Sequence, residues 1–387
     1  MPAPSLPATF TRRRRAPGLG ESVLRPDAPP KVRGEFAFSS DLYVDGMVWG
    51  KTLRSPHPHA RILRIDITGA LAMPGVHAVV TQDDVWGSRT YGLERHDQPV
   101  FADGVVRFHG EPIAAVAADH PELAARACAA IEVEYEVLEP LVDAEAAITA
   151  PPIHPDGNVF RHIRLRHGDP EATGDVVVEG TYQVGMQDQA FLGPESGLAV
   201  PSEDGGVELF VATQWLHVDR DQIAACLNLP REKVRLSLAG TGGAFGGRED
   251  VSMQIHACLL ALVTRRPVKM VYSREESFFG HVHRHQRRSG SGTTPGATAR
   301  WSPSSPGWSS TAAPTRRRAP RSSPTRPASP PARTVSRTRR WTATRYGRTT
   351  RRAAPCAASV RCRPRSPPRR RWTSSPLRSG WTLSSCA

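Results

Sequence analysis

The chain has 387 residues and a formal net charge of +14, yet all 37 acidic residues lie in residues 1–288 while residues 289–387 carry 21 Arg and no acid. The basic balance therefore belongs to the C-terminal part, and it gives residues 1–288 no nucleic-acid-binding character of the kind that counterion release from phosphates supports. A body of about 290 residues exceeds the ~100–150 of a typical single domain, so two domains are expected, and no run approaches the ~18–20 consecutive apolar residues of a membrane span.

Residues 1–29 form a Pro-rich leader expected to be disordered. Its basic run Arg12–Arg15 is followed by Ala16-Pro17-Gly18-Leu19-Gly20-Glu21 instead of an apolar stretch, so no export signal is read and a cytoplasmic setting is expected. Leu42-Tyr43-Val44 and Met47 to Leu53 read as strands around an Asp45-Gly46 hairpin turn. Ala60 to Ile67 alternates as a strand and Val76 to Thr81 adds an apolar run. A helix over Pro121 to Ala130 runs into the alternating strand Ile131 to Glu136, and Pro140 to Pro152 marks a domain boundary.

The second domain is expected to hold strands at Val176 to Val184, Gly206 to Thr213 and Val234 to Leu238, with a helix over Asp219 to Leu227. Beyond Leu238 comes a glycine loop, Gly240-Thr241-Gly242-Gly243-Ala244-Phe245-Gly246-Gly247-Arg248, then a helix over Glu249 to Thr264 and a strand over Val268 to Tyr272. Glycines at a helix start turn unpaired backbone amides toward an anion, whereas the bland alternative is a tight turn and nothing more. A dinucleotide fingerprint would need glycine at Phe245, and a P-loop would need Lys-Ser/Thr at Arg248-Glu249, so neither NAD nor ATP is indicated. The six cysteines form no C-x2-C cluster.

Several motifs together decide the matter. Gln214 in Ala212-Thr213-Gln214-Trp215, followed by Gly242-Gly243-Ala244-Phe245-Gly246-Gly247-Arg248-Glu249, resembles the large, molybdenum-binding subunit of the xanthine dehydrogenase family of molybdenum hydroxylases. Ser55-Pro56-His57-Pro58-His59-Ala60-Arg61-Ile62, Pro74-Gly75-Val76 and Gly110 to Val116 look like that family's α/β hammerhead domain. The resemblance implies an α+β fold: a hammerhead domain over 30–147, a partial molybdopterin cofactor-binding domain over 153–288, and a disordered tail over 289–387.

It also implies a molybdenum–pterin cofactor (Moco), oxidation of purines such as hypoxanthine or xanthine with water as the oxygen source, and FAD and [2Fe-2S] centres on partner subunits. Aldehydes or other N-heterocycles are the alternative substrates. By resemblance, Gln214 would hydrogen-bond the metal's oxo ligand, and Phe245 and Gly246 would bring backbone close to a metal without a direct protein ligand. The loop Gly242, Gly243, Ala244, Phe245, Gly246, Gly247 and Arg248 would hold the cofactor, and Glu249 would help hold a purine. Arg248 replaces the family's frequent Lys.

His281, His283 and His285 beside Arg284, Arg287 and Arg288 read as surface polar residues in preference to a metal face. His57 and His59 read as structural, and Glu195 as a satisfied structural carboxylate. The family pattern should continue after His285, and it does not. Reading GC-rich codons for Ser310 to Arg316 two nucleotides later can yield Asp-Gly-Gly-Ala-Tyr-Ala, and the same offset over Thr350 to Cys362 can yield a family substrate-pocket motif. A frameshift near residues 287–296 is therefore expected, with loss of the general base and of activity. The competing reading is a nucleic-acid-binding protein whose Arg-rich tail makes the contacts.

Overall fold

The computed structural model describes residues 22, 24–93, 95–154, 156–168, 178–293, 307–312, 338–347 and 353–354. All of these fall within one compact unit, Met1–Cys356. The leader expected over residues 1–29 lies largely outside the described residues, as does most of the tail. Over the tail, described backbone is confined to 289–293 and the strands Gly307–Ala312, Thr338–Gly347 and Ala353–Ala354.

The strands of the central sheet are β1 (Val48–Arg54), β2 (Val76–Val80), β3 (Pro112–Ala118), β4 (Ser196–Pro201), β5 (Val207–Val211), β6 (Val234–Leu238) and β7 (Val268–Val271). They run in the order β6-β5-β4-β7-β1-β3-β2, so one seven-stranded sheet passes through both expected domains. The joint is the parallel pair Val48↔Val268, Trp49↔Lys269 and Gly50↔Met270. A three-stranded sheet of Val105–Val106, Ala60–Asp66 and Glu132–Val137 lies apart from it.

The hairpin expected at Asp45-Gly46 does not form. Gly46 makes its turn with φ 75°, but residues 42–44 are not a strand, and β1 pairs antiparallel with β3 instead. Both edges of β1 are taken by distant strands, and its alternating buried positions hold it between them.

Four helices matter here: α1 (Pro121–Ala129), α2 (Leu216–Leu227), α3 (Gln254–Thr264) and α4 (Arg274–Gly280). Helix α3 is buried from Gln254 through Ala261 and packs on strands of both segments. A helix apolar on all sides belongs in a core, and α3 joins Val48, Ala115, Leu209, Ile223 and Met270 in one cluster. One of its polar members, His256, is satisfied by the other segment: Nε2 lies 2.9 Å from the Val100 carbonyl, and the ring stacks on Phe101 at 4.6 Å.

Helix α3 was expected from Glu249 but begins at Gln254. The Arg248 carbonyl, which a helix would offer to Ser252, instead accepts from the Gln214 amide at 2.9 Å, and the Ser252 amide donates to Gln254 Oε1 at 2.6 Å. Helix α2 conversely starts earlier than expected, at Leu216.

Further stitches cross the two segments. Arg54 Nε donates to Glu276 Oε1 at 2.9 Å and Lys51 Nζ lies 3.3 Å from Glu276 Oε2, while the Gly87 amide donates to the Cys226 carbonyl at 2.9 Å. A Cβ at Gly87 would stand 2.1 Å from the Ala225 carbonyl oxygen, a backbone atom that cannot rotate away. Gly87→Ala is therefore expected to destabilise the fold by about 1–3 kcal/mol, read as a lowered midpoint in urea unfolding.

Candidate cofactor site

The glycine loop leaves the end of β6 as an irregular turn and is separated from α3 by residues 249–253, so it does not sit at a helix N-terminus as expected. Its shape depends on three residues in the left-handed region, Gly243 at φ 111°, Phe245 at φ 45° and Gly246 at φ 86°. Glycine takes such angles freely, but Phe245 is strained there by about 1–3 kcal/mol while holding a side chain that is 69% exposed. Gly247 closes the turn by donating to the Ala244 carbonyl at 2.7 Å.

The loop also rests closely on the segment that carries Phe191 and Gly193. Gly193 donates to the Gly242 carbonyl at 3.2 Å, and a Cβ on Gly247 would meet the Phe191 ring at 2.9 Å. Side chains are thus excluded on the inner side for packing reasons.

Arg248 is buried and turned inward. Its Nε donates to the Gly243 carbonyl at 2.8 Å, its Nη2 donates to the carbonyls of Gly193 and Pro194, and its guanidinium lies 4.2 Å from the Phe191 ring centroid. Burial lowers its pKa from the usual value, against the attraction of the Glu195 carboxylate. The sequence reading put this cation beside the cofactor, whereas the structure sets it to work on the loop's own carbonyls. A lysine, with one nitrogen, could not span these acceptors in the same way.

The turn and Gln214 are brought together. The Gln214 amide donates to the Arg248 carbonyl at 2.9 Å, and Thr213 Oγ1 bonds both the same carbonyl at 3.3 Å and Asp219 Oδ2 at 2.6 Å. Asp219 is fully buried on α2, so the strand end, α2 and the loop share one polar junction. Gln214 is itself exposed, and it lines an open groove with Trp215, His217, Val218 and Leu238. Glu249, by contrast, is only 4% exposed.

The histidines His281, His283 and His285 are not on the surface: they are 1%, 1% and 9% exposed. The expectation failed because Gln187 and Arg284 form a backbone bridge that seats this strand against Asp188. His283 Nε2 lies 2.7 Å from Asp188 Oδ2, His281 Nε2 lies 3.3 Å from the same oxygen, and His281 Nδ1 lies 3.1 Å from Glu195 Oε1. Burial works to raise the Asp188 carboxyl, yet the His283 hydrogen bond and the His281 charge hold it below its usual value. Burial pushes the Glu195 carboxyl up, against the pull of Arg248. The alternation His-x-His-x-His already placed these rings on one strand face, and that periodicity was the available signal. His57 and His59 are structural, the first edge-on to Tyr135 at 4.9 Å and the second 2.9 Å from the Glu139 carbonyl.

Residues 33–139 match the aldehyde oxidase and xanthine dehydrogenase a/b hammerhead domain, and residues 153–291 match the molybdopterin cofactor-binding domain. The chain belongs to the xanthine dehydrogenase family of molybdenum hydroxylases. Among relatives, it is 40% identical to a probable xanthine dehydrogenase subunit of Bacillus subtilis over 68% of this chain and 36% of that protein. It is 39% identical to the nicotinate dehydrogenase large molybdopterin subunit of Eubacterium barkeri over 69% of this chain and 64% of that one. The aldehyde oxidoreductase of Desulfovibrio gigas shares the fold with a TM-score of 0.77 at 24% identity, covering 85% of this chain and 38% of that one. The chain thus spans less than two thirds of the length of these relatives.

The residues present fit one side of a molybdopterin site. Phe245 is exposed while Ala244 is half-buried and Gly246 buried, so an anionic group could reach the turn from the Phe245 side. Arg248 is turned inward, and its carbonyl is met by the backbone amide of Gln214 at 2.9 Å. Arg248→Lys should cost about 1.5–3 kcal/mol in urea unfolding through lost charged hydrogen bonds, and should speed proteolytic cleavage near residue 245.

Proposed function

We propose that this chain is part of the molybdenum-binding subunit of a xanthine dehydrogenase-type hydroxylase that oxidises purines, hypoxanthine or xanthine, with water as the oxygen source. The observation that carries this reading is the backbone bond from the Gln214 amide to the Arg248 carbonyl, which sets an exposed glutamine next to the end of the strained Phe245 turn. A bound molybdenum cofactor would supply the oxygen transfer and accept the substrate's electrons. Around it, Ala244, Phe245 and Gly246 would present backbone amides, and Gln214 would donate a hydrogen bond without adding charge. Glu249 would help hold the purine.

In this reading residues 30–147 are the hammerhead domain and 153–288 a partial cofactor-binding domain, after a leader over 1–29. Residues 289–387 are an out-of-frame tail that replaces the family's remaining segments. FAD and [2Fe-2S] centres would reside on partner subunits in the cytoplasm, in line with relatives named as subunits. No helix of the described residues is long and apolar enough to cross a membrane. The Eubacterium barkeri relative is named for nicotinate, which makes another N-heterocycle the competing substrate.

Translating the coding DNA across codons 280–300 in all three frames should reveal the family's continuation in a second frame; its absence would rule out the frameshift. In this reading the chain as it stands should not oxidise hypoxanthine, because the frameshift removes the segment that carries the general base. A frame-corrected chain assembled with its partners should contain molybdenum and turn over. Gln214→Ala in that enzyme should lower kcat about 10²–10³-fold, the range for removing one preorganised donor.

A further inference from the structure

We infer that Asp188, His281 and His283 form a structural site for a divalent transition-metal ion, of the zinc or cobalt type, on the inner side of the glycine turn. Asp188, His281 and His283 each offer one ligand atom, and these atoms all lie within 4.8 Å of one another. Bonds of about 2.0–2.1 Å in tetrahedral array set neighbouring ligand atoms roughly 3.3 Å apart. Two spacings stand close to that figure, 3.3 Å from His281 Nε2 to Asp188 Oδ2 and 3.1 Å from His281 Nε2 to Gln189 Oε1, while His283 Nε2, at 2.7 Å from Asp188 Oδ2, would have to move outward to admit the ion. Gln189 Oε1 supplies a fourth donor.

The protonation chemistry points the same way. Glu195 Oε1 lies behind His281 at 3.1 Å from Nδ1, so a proton on Nδ1 leaves the Nε2 lone pair facing Asp188 and Gln189, both oxygen acceptors. A carboxylate hydrogen-bonded to the far nitrogen of a histidine is the arrangement that orients metal-binding imidazoles and raises their basicity. The two imidazoles are also nearly parallel, 4.8 Å apart and 25° between planes, with their Nε2 atoms toward the same carboxylate oxygen.

The location gives the ion a purpose. His281 packs against Phe191 at 5.2 Å, and a Cβ on Gly247 would meet both Phe191 at 2.9 Å and the Gln189 amide carbon at 3.2 Å. An ion held by Asp188, Gln189, His281 and His283 ties the strand of His283 to the segment on which the glycine turn rests. The site is separate from the molybdenum reading, and it should bind metal in a chain that contains no molybdenum.

The test uses the untagged full chain stripped with chelator and titrated with Co²⁺ alone, then with Zn²⁺ alone. One equivalent of Co²⁺ should bind, with the intense visible d–d bands of a four-coordinate site, and Zn²⁺ should displace it and raise Tm. Asp188→Asn and His283→Gln, which keep the shape and polarity of the pocket, should abolish the bands, while the exposed His162→Ala should leave them. Glu195→Gln should weaken Co²⁺ binding about 10–100-fold without removing it. No stoichiometric Co²⁺ or Zn²⁺ binding would overturn the proposal. Cobalt bands unchanged in both Asp188→Asn and His283→Gln would overturn it equally. Molybdenum content and hypoxanthine turnover are independent of all these readouts.

Discussion

The parallel pairing of β1 with β7 is the constraint on which the molecule depends. It joins residue 48 to residue 268 across most of the described chain and turns two family segments into one sheet. Because β1 also pairs with β3, a single strand commits both of its hydrogen-bonding edges to partners remote in sequence. Loop-closure entropy for such pairing is recovered by burial, and α3 supplies it by lying against strands from both segments. The buried His256 and Glu276 contacts then fix how the two parts meet.

On that platform the glycine turn is held by polar bonds from the inside. Arg248 grips carbonyls on both the turn and the Gly193 segment, and its charge is tolerated because Glu195 and the Phe191 face accompany it. A buried charge with satisfied donors specifies one geometry, since any other arrangement leaves it unpaired. The strain at Phe245 is the counterpart: the turn persists in the left-handed region because its neighbours leave no alternative.

Most strands of the central sheet could be read from the chain directly, Pro112–Ala118 and Ser196–Pro201 being the exceptions. Val234–Leu238 occupies the expected span, and Pro121–Ala129 and Ala60–Asp66 differ only at their ends, because periodicity of 3.6 or 2 and a proline at the helix start are local properties. The hairpin at Asp45-Gly46 and the early start of α3 misled for one reason. Turn residues and helix formers state a local preference, and long-range hydrogen bonds to β3, β7 and Gln214 overrode it.

Motif content alone, read residue by residue, placed Gln214 and the Gly242 to Arg248 loop in one family, since side-chain chemistry and glycine spacing survive in a linear string. Which way those side chains point was beyond it. Arg248 faces inward and the three histidines are buried because Asp188, Phe191, Gly193 and Glu195, some 50 to 100 residues upstream, come to lie against them. Burial and charge pairing are properties of neighbours in space, and those neighbours exist only once the sheet has closed.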